Sequence, residues 1–382
     1  MAKRPAVKHL KGTPLRDGFR FPAEWERQSG TWFSWPRPEG ISFPGKYHTI
    51  PTNIAAIIRE IGKRQLVHIN VPNENYRRIV REQLTEAGVP KVWFVGKRPR
   101  VNFHDIPTNE SWCRDHGPAF VVRTRNGKKQ KAIVDWGFNA WGGKYPPFDA
   151  DDAVPVRIAE AWGSKIVGVY SPLHPRAGGE AVGKLRRIVM EGGAVEFNGR
   201  GTVLTTESCL LNPNRNPGMS KWEIEKALKE YYGQTHVCWL GDGIVGDDTD
   251  GHIDDLARFL DPRTIAVAVE NDRRDGNYHI LGENLDRTLR LRDQDGEPFR
   301  VVTLPMPGVV EFDGQRLPAT YLNFLFVNGA CLVPTFRNRK NDRLALKTLQ
   351  EHLPKHEVVG IDCVELIWGL GAIHCLTQQE PA

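Results

Sequence analysis

A tight turn recurs along this chain at nearly even intervals, and this recurrence constrains the fold more than any other feature. Asn-Gly pairs begin at Asn126, Asn198 and Asn328, and a further turn lies at Pro262. Asn-Gly is typical of two-residue hairpins, because a type I′ turn requires positive φ at both central residues. The turns are 72, 64 and 66 residues apart. This spacing predicts one supersecondary unit that recurs about five times.

Strand-like and helical runs alternate around these turns. The clearest helix begins at Ser220, has Glu223 at the capping-box position and ends at Gly233. Residues 73–87 and 341–353 have similar helical patterns. The strand-like runs are residues 66–71, 119–123, 132–136, 202–205, 237–240, 265–269, 301–304, 324–327 and 358–361.

Such units either stack in a line or close into a ring, and closure buries the open face of each unit. No Pro-, Ser- or Gly-rich linker divides the 382 residues. We therefore predict an α/β fold in which five ββαβ-type repeats close into a five-fold pseudosymmetric propeller. Residues 1–20 carry six basic residues against one acid, Asp17, and are predicted to be a flexible basic tail. Residues 21–382 are predicted to form a single catalytic domain.

Charge and cysteine patterns argue against several protein classes. The net charge is +6, but most of it lies in residues 1–20. The rest of the chain therefore has no sign of the basic surface typical of nucleic-acid-binding proteins, and we expect no nucleic-acid partner. The six cysteines form no CxxC pair, which argues against a disulfide scaffold or a zinc ribbon. The sequence contains no spanning-length apolar run, and no signal-like start, so we expect a cytoplasmic protein without a membrane partner. The sequence contains neither a P-loop nor a dinucleotide-binding fingerprint, so we expect no cofactor.

Chemically active side chains lie at matching places ahead of the turns. Asp115 and Glu191 precede the first and second turns, and His252 and Asp254 precede the third. On a strand, His252 and Asp254 would share a face. A fifth hairpin would begin with a strand over 373–377, which places Cys375 at the equivalent position. In a ring, these positions would meet at the axis.

A thiol, an imidazole and three carboxylates predict both a chemistry and a substrate charge. Three carboxylates around a thiol suppress thiolate formation unless a cation is bound. A planar guanidinium fits this requirement, because its N–H groups suit carboxylates in pairs and its central carbon can accept a sulfur nucleophile.

The motifs that carry these residues resemble those of the agmatine deiminases, within the guanidine-modifying, peptidylarginine-deiminase-like superfamily. The resemblance covers nearly the whole chain. It implies a five-unit α/β propeller, no metal or cofactor, and hydrolysis of agmatine to N-carbamoylputrescine and ammonia. Its segments are SWCRDHGP, MEGGAVEFNGRGTVLTTESCLLNPNRNP, GDDTDGHIDDLARF, ATYLNFLFVNG and GAIHCLTQQ.

The resemblance also implies a role for each matching residue. Cys375 matches the nucleophile, His252 the acid–base histidine and Glu191 the glutamate that orients it. Asp115 and Asp254 match the two aspartates that bind the guanidinium.

Other residues receive weaker or structural predictions. Trp112 is predicted to line the mouth of the pocket, and Trp141 is a second candidate there. His374, next to the nucleophile on a strand, is expected to face away from it and to be structural. We expect the remaining cysteines to be inert and buried, namely Cys113, Cys209, Cys238, Cys331 and Cys363.

The exact reaction is left open between related alternatives. Residues 369–372 read Gly-Leu-Gly-Ala where many agmatine deiminases have Gly-Gly-Gly-Asn, and Asp255 stands where they have Asn. Deimination of another guanidine, such as arginine or peptidyl-arginine, is therefore an alternative, and so is transfer of the amidino group to an amine. A binding module without enzymatic activity would bind the guanidine without turnover. Homo-oligomer formation is also left open.

Overall fold

A computed structural model describes residues 7–175 and 187–382 of the chain, and they adopt an α/β fold. The strands are β1 (Gln28–Ser34), β2 (Leu66–Val71), β3 (Val101–Asp105), β4 (Ala119–Arg125), β5 (Lys128–Val134), β6 (Val169–Tyr170), β7 (Val195–Phe197), β8 (Thr202–Thr206), β9 (His236–Leu240), β10 (Ala257–Asp261), β11 (Thr264–Val269), β12 (Arg300–Pro305), β13 (Glu311–Phe312), β14 (Gln315–Arg316), β15 (Leu325–Val327), β16 (Ala330–Thr335), β17 (Glu357–Asp362) and β18 (Thr377–Pro381). The helices are α1 (Ile50–Gly62), α2 (Glu74–Glu86), α3 (Cys113–His116), α4 (Ala140–Gly143), α5 (Asp149–Asp152), α6 (Val154–Trp162), α7 (Glu207–Leu210), α8 (Lys221–Tyr232), α9 (Asn277–Arg290) and α10 (Arg339–His352). Within these described ranges, no helix is both long and apolar enough to cross a membrane.

Five sheets share one topology, which confirms the predicted repeat. In each sheet, one strand pairs antiparallel with a neighbour on one side and parallel with a neighbour on the other side. The strand orders are β4-β5-β6, β7-β8-β9, β10-β11-β12, β15-β16-β17 and β18-β1-β2-β3. A helix lies in each connection between parallel strands, as such crossovers require.

The four predicted turns join the antiparallel pairs, so the hairpin positions are confirmed. The predicted turn type holds at one Asn-Gly pair, where Asn126 and Gly127 have φ of 52° and 71°. At the other two pairs, Gly199 and Gly329 are left-handed but the preceding asparagine is not. A type I′ turn needs both residues in that region, so this part of the prediction is wrong at 198 and 328.

The fifth sheet joins the two ends of the described chain. Strand β18 pairs antiparallel with β1, and Thr377 lies opposite Phe33. The predicted strand over 373–377 is wrong, because β18 begins at Thr377 and residues 373–376 form a turn. Cys375 therefore lies in a tight turn that leads into β18.

From residue 7 onward, the segment predicted to be a flexible tail makes backbone contacts with the rest of the chain. The backbone N–H of Leu10 donates to the carbonyl of Val169 at 2.8 Å, and Arg20 forms a bridge with Val122. Phe19 is only 2% exposed and packs in a hydrophobic cluster that includes Tyr170. Residues 1–6 of the predicted tail lie outside the described residues.

A buried network of charged groups connects the sheets behind the site. The Arg258 side chain is fully buried, with Nη2 at 3.1 Å from Oε2 of Glu24 and Nε at 3.0 Å from Oε2 of Glu196. Arg258 Nη1 also donates to the carbonyl of Phe324 at 2.6 Å. Glu24 accepts from the backbone N–H of Phe326 at 2.7 Å. Buried charges in such a network persist only when each has a partner.

We predict that Arg258→Ala strongly destabilises the protein, because it leaves Glu24 and Glu196 in the interior without their shared cation. Removing one partner of a buried ion pair costs about 3–5 kcal/mol. The free energy of unfolding in urea measures the effect. Arg78→Ala is the control, because Arg78 pairs with Glu82 on the exposed face of α2. Equal unfolding midpoints for the two variants would contradict the prediction.

Candidate active site

The Cys375 thiol is held by an asparagine side chain at the floor of a pocket. Asn323 Nδ2 donates to Cys375 Sγ at 3.0 Å, and its Oδ1 accepts from the backbone N–H of His374 at 3.0 Å and of Cys375 at 3.3 Å. One amide thus fixes both the turn that carries the thiol and the direction of the sulfur. Cys375 is 6% exposed.

The environment of Cys375 keeps its thiol protonated. Burial raises the pKa well above the ordinary value, and the negative charges of Asp254 and Asp115 raise it further. The donated hydrogen bond from Asn323 acts in the opposite direction but is the weaker influence. A thiolate at this position therefore requires a positive charge nearby.

Asp254 lies beside the thiol, and His374 holds it there. Asp254 Oδ2 is 3.8 Å from Cys375 Sγ and 2.6 Å from Nδ1 of His374. The other ring nitrogen of His374 is 2.7 Å from Oε2 of Glu24. Burial raises the pKa of Asp254, but the hydrogen bond and charge of His374 outweigh it, so the pKa is lowered and the carboxylate is ionised. The expectation that His374 faces away from the site is wrong, because residue 374 lies in a turn and not on a strand.

Asp115 lies in the short helix α3, and two hydrogen bonds orient its carboxylate. The backbone N–H of Gly193 donates to Oδ1 at 3.0 Å, and the indole of Trp141 donates to Oδ2 at 3.0 Å. Burial raises its pKa to about 6; the charges of Asp254 and Glu191 also raise it, whereas nearby His252 lowers it. Asp115 therefore titrates close to neutral pH.

His252 is buried beside Asp115, with Nδ1 at 3.8 Å from Oδ1 of the carboxylate. Neither ring nitrogen has a hydrogen-bond partner within the described part of the chain. Burial lowers the pKa of the imidazole, but the charges of Asp115 and Asp254 and the nearby Cys209 sulfur outweigh it and raise the pKa well above the ordinary value. The expectation that His252 and Asp254 share a strand face is wrong, since His252 directly precedes a 3-10 turn (Ile253–Asp255).

Glu191 is fully buried behind the imidazole and bonded to an arginine that the sequence did not indicate as functional. Arg215 Nε lies 2.6 Å from Glu191 Oε1, while Oε2 has no hydrogen-bond partner among the residues described. The two glycines after Glu191 allow this close packing. A Cβ at Gly193 would lie 2.5 Å from Nδ1 of His252 and 2.9 Å from Oδ1 of Asp115.

A second thiol lies at the same imidazole. Cys209, in α7, is completely buried. Its sulfur, one ring nitrogen of His252 and one carboxylate oxygen of Glu191 all lie within 4.8 Å of one another. No sequence pattern separates Cys209 from the other cysteines that are predicted to be inert.

A cavity of about 320 Å³ leads to Cys375 and Asp115. Its walls are largely aromatic and apolar, formed by Phe43, Trp112, Trp141, Tyr145, Phe312, Leu317, Trp368 and Leu370. Four carboxylates line it, those of Glu110, Asp115, Asp248 and Asp313, against one cation, Lys46. This lining suits an elongated molecule with an apolar middle and positive charge.

Trp112, predicted at the mouth of the pocket, packs tightly against the turn of the thiol. A Cβ at Gly371 would lie 2.5 Å from the Trp112 ring and 3.0 Å from Cβ of Cys375. The Trp112 indole donates to Ser42 Oγ at 2.9 Å. Next to Gly371, Leu370 has a left-handed φ of 68° and also lines the cavity. This is one of the positions where the chain departs from the pattern of many agmatine deiminases.

The structure thus brings the predicted residues Cys375, Asp254, Asp115, His252 and Glu191 into one connected cluster. Cys375 and Asp115 line the cavity, whereas the other three are packed behind its surface. Sequence patterns did not indicate the supporting residues Asn323, Arg215, Glu24 and Cys209. Asn323 and Arg215 lie in segments that carry the family resemblance, but spacing alone does not reveal their contacts.

Comparisons with known proteins give matches over nearly the whole chain. A model of the family described as "Porphyromonas-type peptidyl-arginine deiminase" matches residues 20–381. The chain is 34% identical to an agmatine deiminase of Medicago truncatula, with 98% of this chain and 99% of the relative covered. It is 34% identical to an agmatine deiminase of Pseudomonas fluorescens, with 98% of each covered. The solved structure of the Enterococcus faecalis agmatine deiminase superposes with a TM-score of 0.84 at 32% identity, covering 98% of this chain and 99% of that one.

These matches first define a class: the protein is a hydrolase that acts on carbon–nitrogen bonds. Within that class, the chain belongs to the Porphyromonas-type peptidyl-arginine deiminase family.

Proposed function

We propose that this protein hydrolyses agmatine to N-carbamoylputrescine and ammonia. The observation that carries the proposal is the charge of the cavity, where four carboxylates face a single lysine on the way to a buried thiol. Agmatine has a cationic guanidinium, an apolar chain and a cationic amine, and this lining is complementary to all three. The carboxylate of free arginine would meet like charges there. The relatives named as agmatine deiminases support the same substrate.

In this mechanism, Asp115 and Asp254 bind the guanidinium between their carboxylates. The substrate charge offsets the carboxylates that raise the pKa of Cys375, so the thiol loses its proton to solvent. The sulfur then adds to the central carbon of the guanidinium and forms a tetrahedral adduct. Binding and activation of the nucleophile are thereby coupled.

His252 then transfers protons in both halves of the reaction. The imidazolium protonates one amino group of the adduct, the carbon–nitrogen bond breaks and ammonia departs. The amidino carbon, which still carries the aminobutyl chain of the substrate, remains bonded to sulfur. Neutral His252 next accepts a proton from water, whose oxygen adds to the same carbon. Collapse of this second adduct breaks the carbon–sulfur bond and releases the ureido product. Glu191 orients the imidazole through these steps.

The same proposal includes the arrangement of the sheets. We propose that the five sheets surround one axis as a five-bladed propeller, with residues 21–382 as a single catalytic domain. Support comes from the shared topology of the sheets, from the pairing of β18 with β1, and from the cluster that unites residues near different sheets. Trp112 would line the substrate channel next to the thiol.

Asp254 and its neighbour Asp255 provide a matched pair of variants. Asp254→Asn should lower kcat/KM by about 10- to 100-fold, because a hydrogen bond to a charged group contributes about 1.5–3 kcal/mol. Asp255 is different, since burial and the charges of Asp254 and Asp247 raise its pKa well above the ordinary value. Asp255→Asn therefore replaces a neutral carboxyl by a neutral amide that still accepts from Asn323. Equal losses in steady-state kinetics would remove Asp254 from the proposed guanidinium site.

Ionisation of the Asp115 carboxyl should make substrate binding depend on pH. Its pKa in the free protein is about 6, and a bound guanidinium would favour the ionised form and lower that pKa. The affinity for agmatine should therefore stay at its highest value above pH 6 and fall about tenfold per pH unit below it. Calorimetric titration of Cys375→Ser with agmatine between pH 7.5 and 4.5 measures this. Adding Asp115→Asn should weaken binding and flatten the profile, whereas a constant Kd down to pH 5 without that substitution would contradict the prediction.

Product analysis tests the proposed reaction directly. Purified protein is offered agmatine, free arginine and an arginine-containing peptide in parallel, and ammonia and ureido products are quantified. We expect turnover of agmatine with one ammonia per ureido group. Preference for another guanidine would overturn the substrate but keep the chemistry. Transfer of the amidino group to an added amine, with little ammonia, would overturn hydrolysis in favour of an amidinotransferase.

A further inference from the structure

The second thiol at the catalytic imidazole is not used by the mechanism above. Cys209 lies beside His252, and Glu191 completes a group in which sulfur, nitrogen and oxygen are all within 4.8 Å of one another. All three side chains are at most 1% exposed. Cys375 is not a member of this group, so the group is distinct from the nucleophile.

Unpartnered polar atoms belong to this group. Both ring nitrogens of His252 and Oε2 of Glu191 have no hydrogen-bond partner among residues 7–175 and 187–382. Buried polar side-chain atoms usually have a partner, and exceptions commonly indicate a site for water, an ion or a ligand. Catalysis explains the free imidazole, but it does not explain why a thiol is placed against it.

The three donors suit a particular class of cation. Thiolate sulfur, imidazole nitrogen and carboxylate oxygen are the ligands of Zn²⁺, and thiolate selects soft metals over Mg²⁺ and Ca²⁺. The neighbouring carboxylates of Asp115 and Asp254 also favour positive charge at the imidazole. The positive charge of Arg215 opposes cation binding at this site. However, Arg215 is paired with Oε1 of Glu191, so Oε2 is available to a metal.

We propose that Glu191, Cys209 and His252 form a site for a soft divalent cation, Zn²⁺ or Cd²⁺, and that metal bound there inhibits the enzyme. The metal displaces the proton of the Cys209 thiol and one proton of the His252 imidazolium to solvent and forms sulfur–metal and nitrogen–metal bonds, so binding strengthens as pH rises. It also occupies the imidazole, which can then neither protonate ammonia nor accept a proton from water. Bound metal and a bound guanidinium both place positive charge beside Asp115 and Asp254 and therefore compete.

The first test is direct titration of Cys375→Ser with Cd²⁺, followed by the ultraviolet charge-transfer absorption of the cadmium–thiolate bond. This variant lacks the catalytic thiol and needs no turnover, so the result is independent of the proposed reaction. We expect one equivalent of Cd²⁺ to give the band. Adding Cys209→Ala should abolish it, whereas adding Cys331→Ala, at a buried cysteine of β16, should not. Absence of the band in Cys375→Ser, or its persistence with Cys209→Ala, would overturn the proposal.

A second test uses the enzyme with Cys375 intact. The turnover of each variant is expressed relative to its own rate without metal. The Zn²⁺ concentration that halves this relative turnover should be at least tenfold higher in Cys209→Ala than in the original enzyme, since loss of even an outer partner of a metal site lowers metal affinity by about 10- to 100-fold. Cys331→Ala should keep the original value. An unchanged value in Cys209→Ala would place the inhibitory metal on Cys375 instead and overturn the assignment.

Discussion

Cys375→Ser is expected to abolish turnover while the protein still binds its substrate. Loss of the nucleophile from a covalent mechanism lowers kcat by roughly 10⁶-fold. The loss should be large here because serine at this position keeps its proton even more firmly than the thiol, whose pKa is already raised by burial and by Asp254. Asn323 can still donate to the serine oxygen, so the turn and the pocket should be preserved. Ammonia release measures turnover, and calorimetry with agmatine measures binding.

The control for this variant is Cys331→Ala, which removes a different buried thiol. It should retain turnover within a few fold. Mass spectrometry of acid-quenched enzyme adds a second measurement, since only protein with Cys375 should gain the mass of agmatine minus ammonia. Undiminished ammonia release by Cys375→Ser would refute the assignment of Cys375 as the nucleophile. A mass increase on another residue would identify that residue as the nucleophile instead.

His252→Gln has the second largest expected effect. Removing a general acid–base group typically costs about 10²- to 10⁴-fold in rate. The nearby carboxylate of Asp115 holds the pKa of the imidazole well above its ordinary value, so His252 is protonated at neutral pH and is ready to protonate departing ammonia. Glutamine fills a similar space but cannot transfer the proton. The expected result is a loss in kcat that exceeds any change in KM.

The matched control is His356→Gln, at a half-buried histidine that packs against Phe326 away from the pocket. This variant should keep the original kcat. If His252→Gln also stays within tenfold of the original enzyme, another group must transfer the proton.

The sequence predicted the repeat because its signals are local. A turn with Asn126 and Gly127 depends on the φ angles of two adjacent residues, and a capping box at Ser220 depends on residues three apart. The structure confirms both. Predictions that assumed a regular strand failed at 252–254 and 373–377, where the chain forms tight turns. Those turns are stabilised by contacts with distant segments, which a periodic pattern cannot reveal.

The cluster of site residues was predicted better than its supports. Asp115, Glu191, His252, Asp254 and Cys375 were found because they recur at equivalent places and lie in recognisable motifs. Glu24 was not, although it lies 2.7 Å from His374 across 350 positions of sequence. Nothing near Glu24 in the sequence distinguishes it from an exposed acid. Its function becomes clear only when Arg258, Arg114 and His374 are seen around it.

The pairing of β18 with β1 has a consequence for protein synthesis. The β1 strand leaves the ribosome early, but its antiparallel neighbour is made only after the residues in between. At about 5–20 residues per second, β1 waits on the order of tens of seconds without that neighbour. The same segment supplies Cys375, so a nascent chain interrupted before it has neither the β18 neighbour of β1 nor the proposed nucleophile. Activity thus marks chains whose translation has passed this segment, and prematurely released chains are left with an open strand edge that chaperones or proteases can recognise.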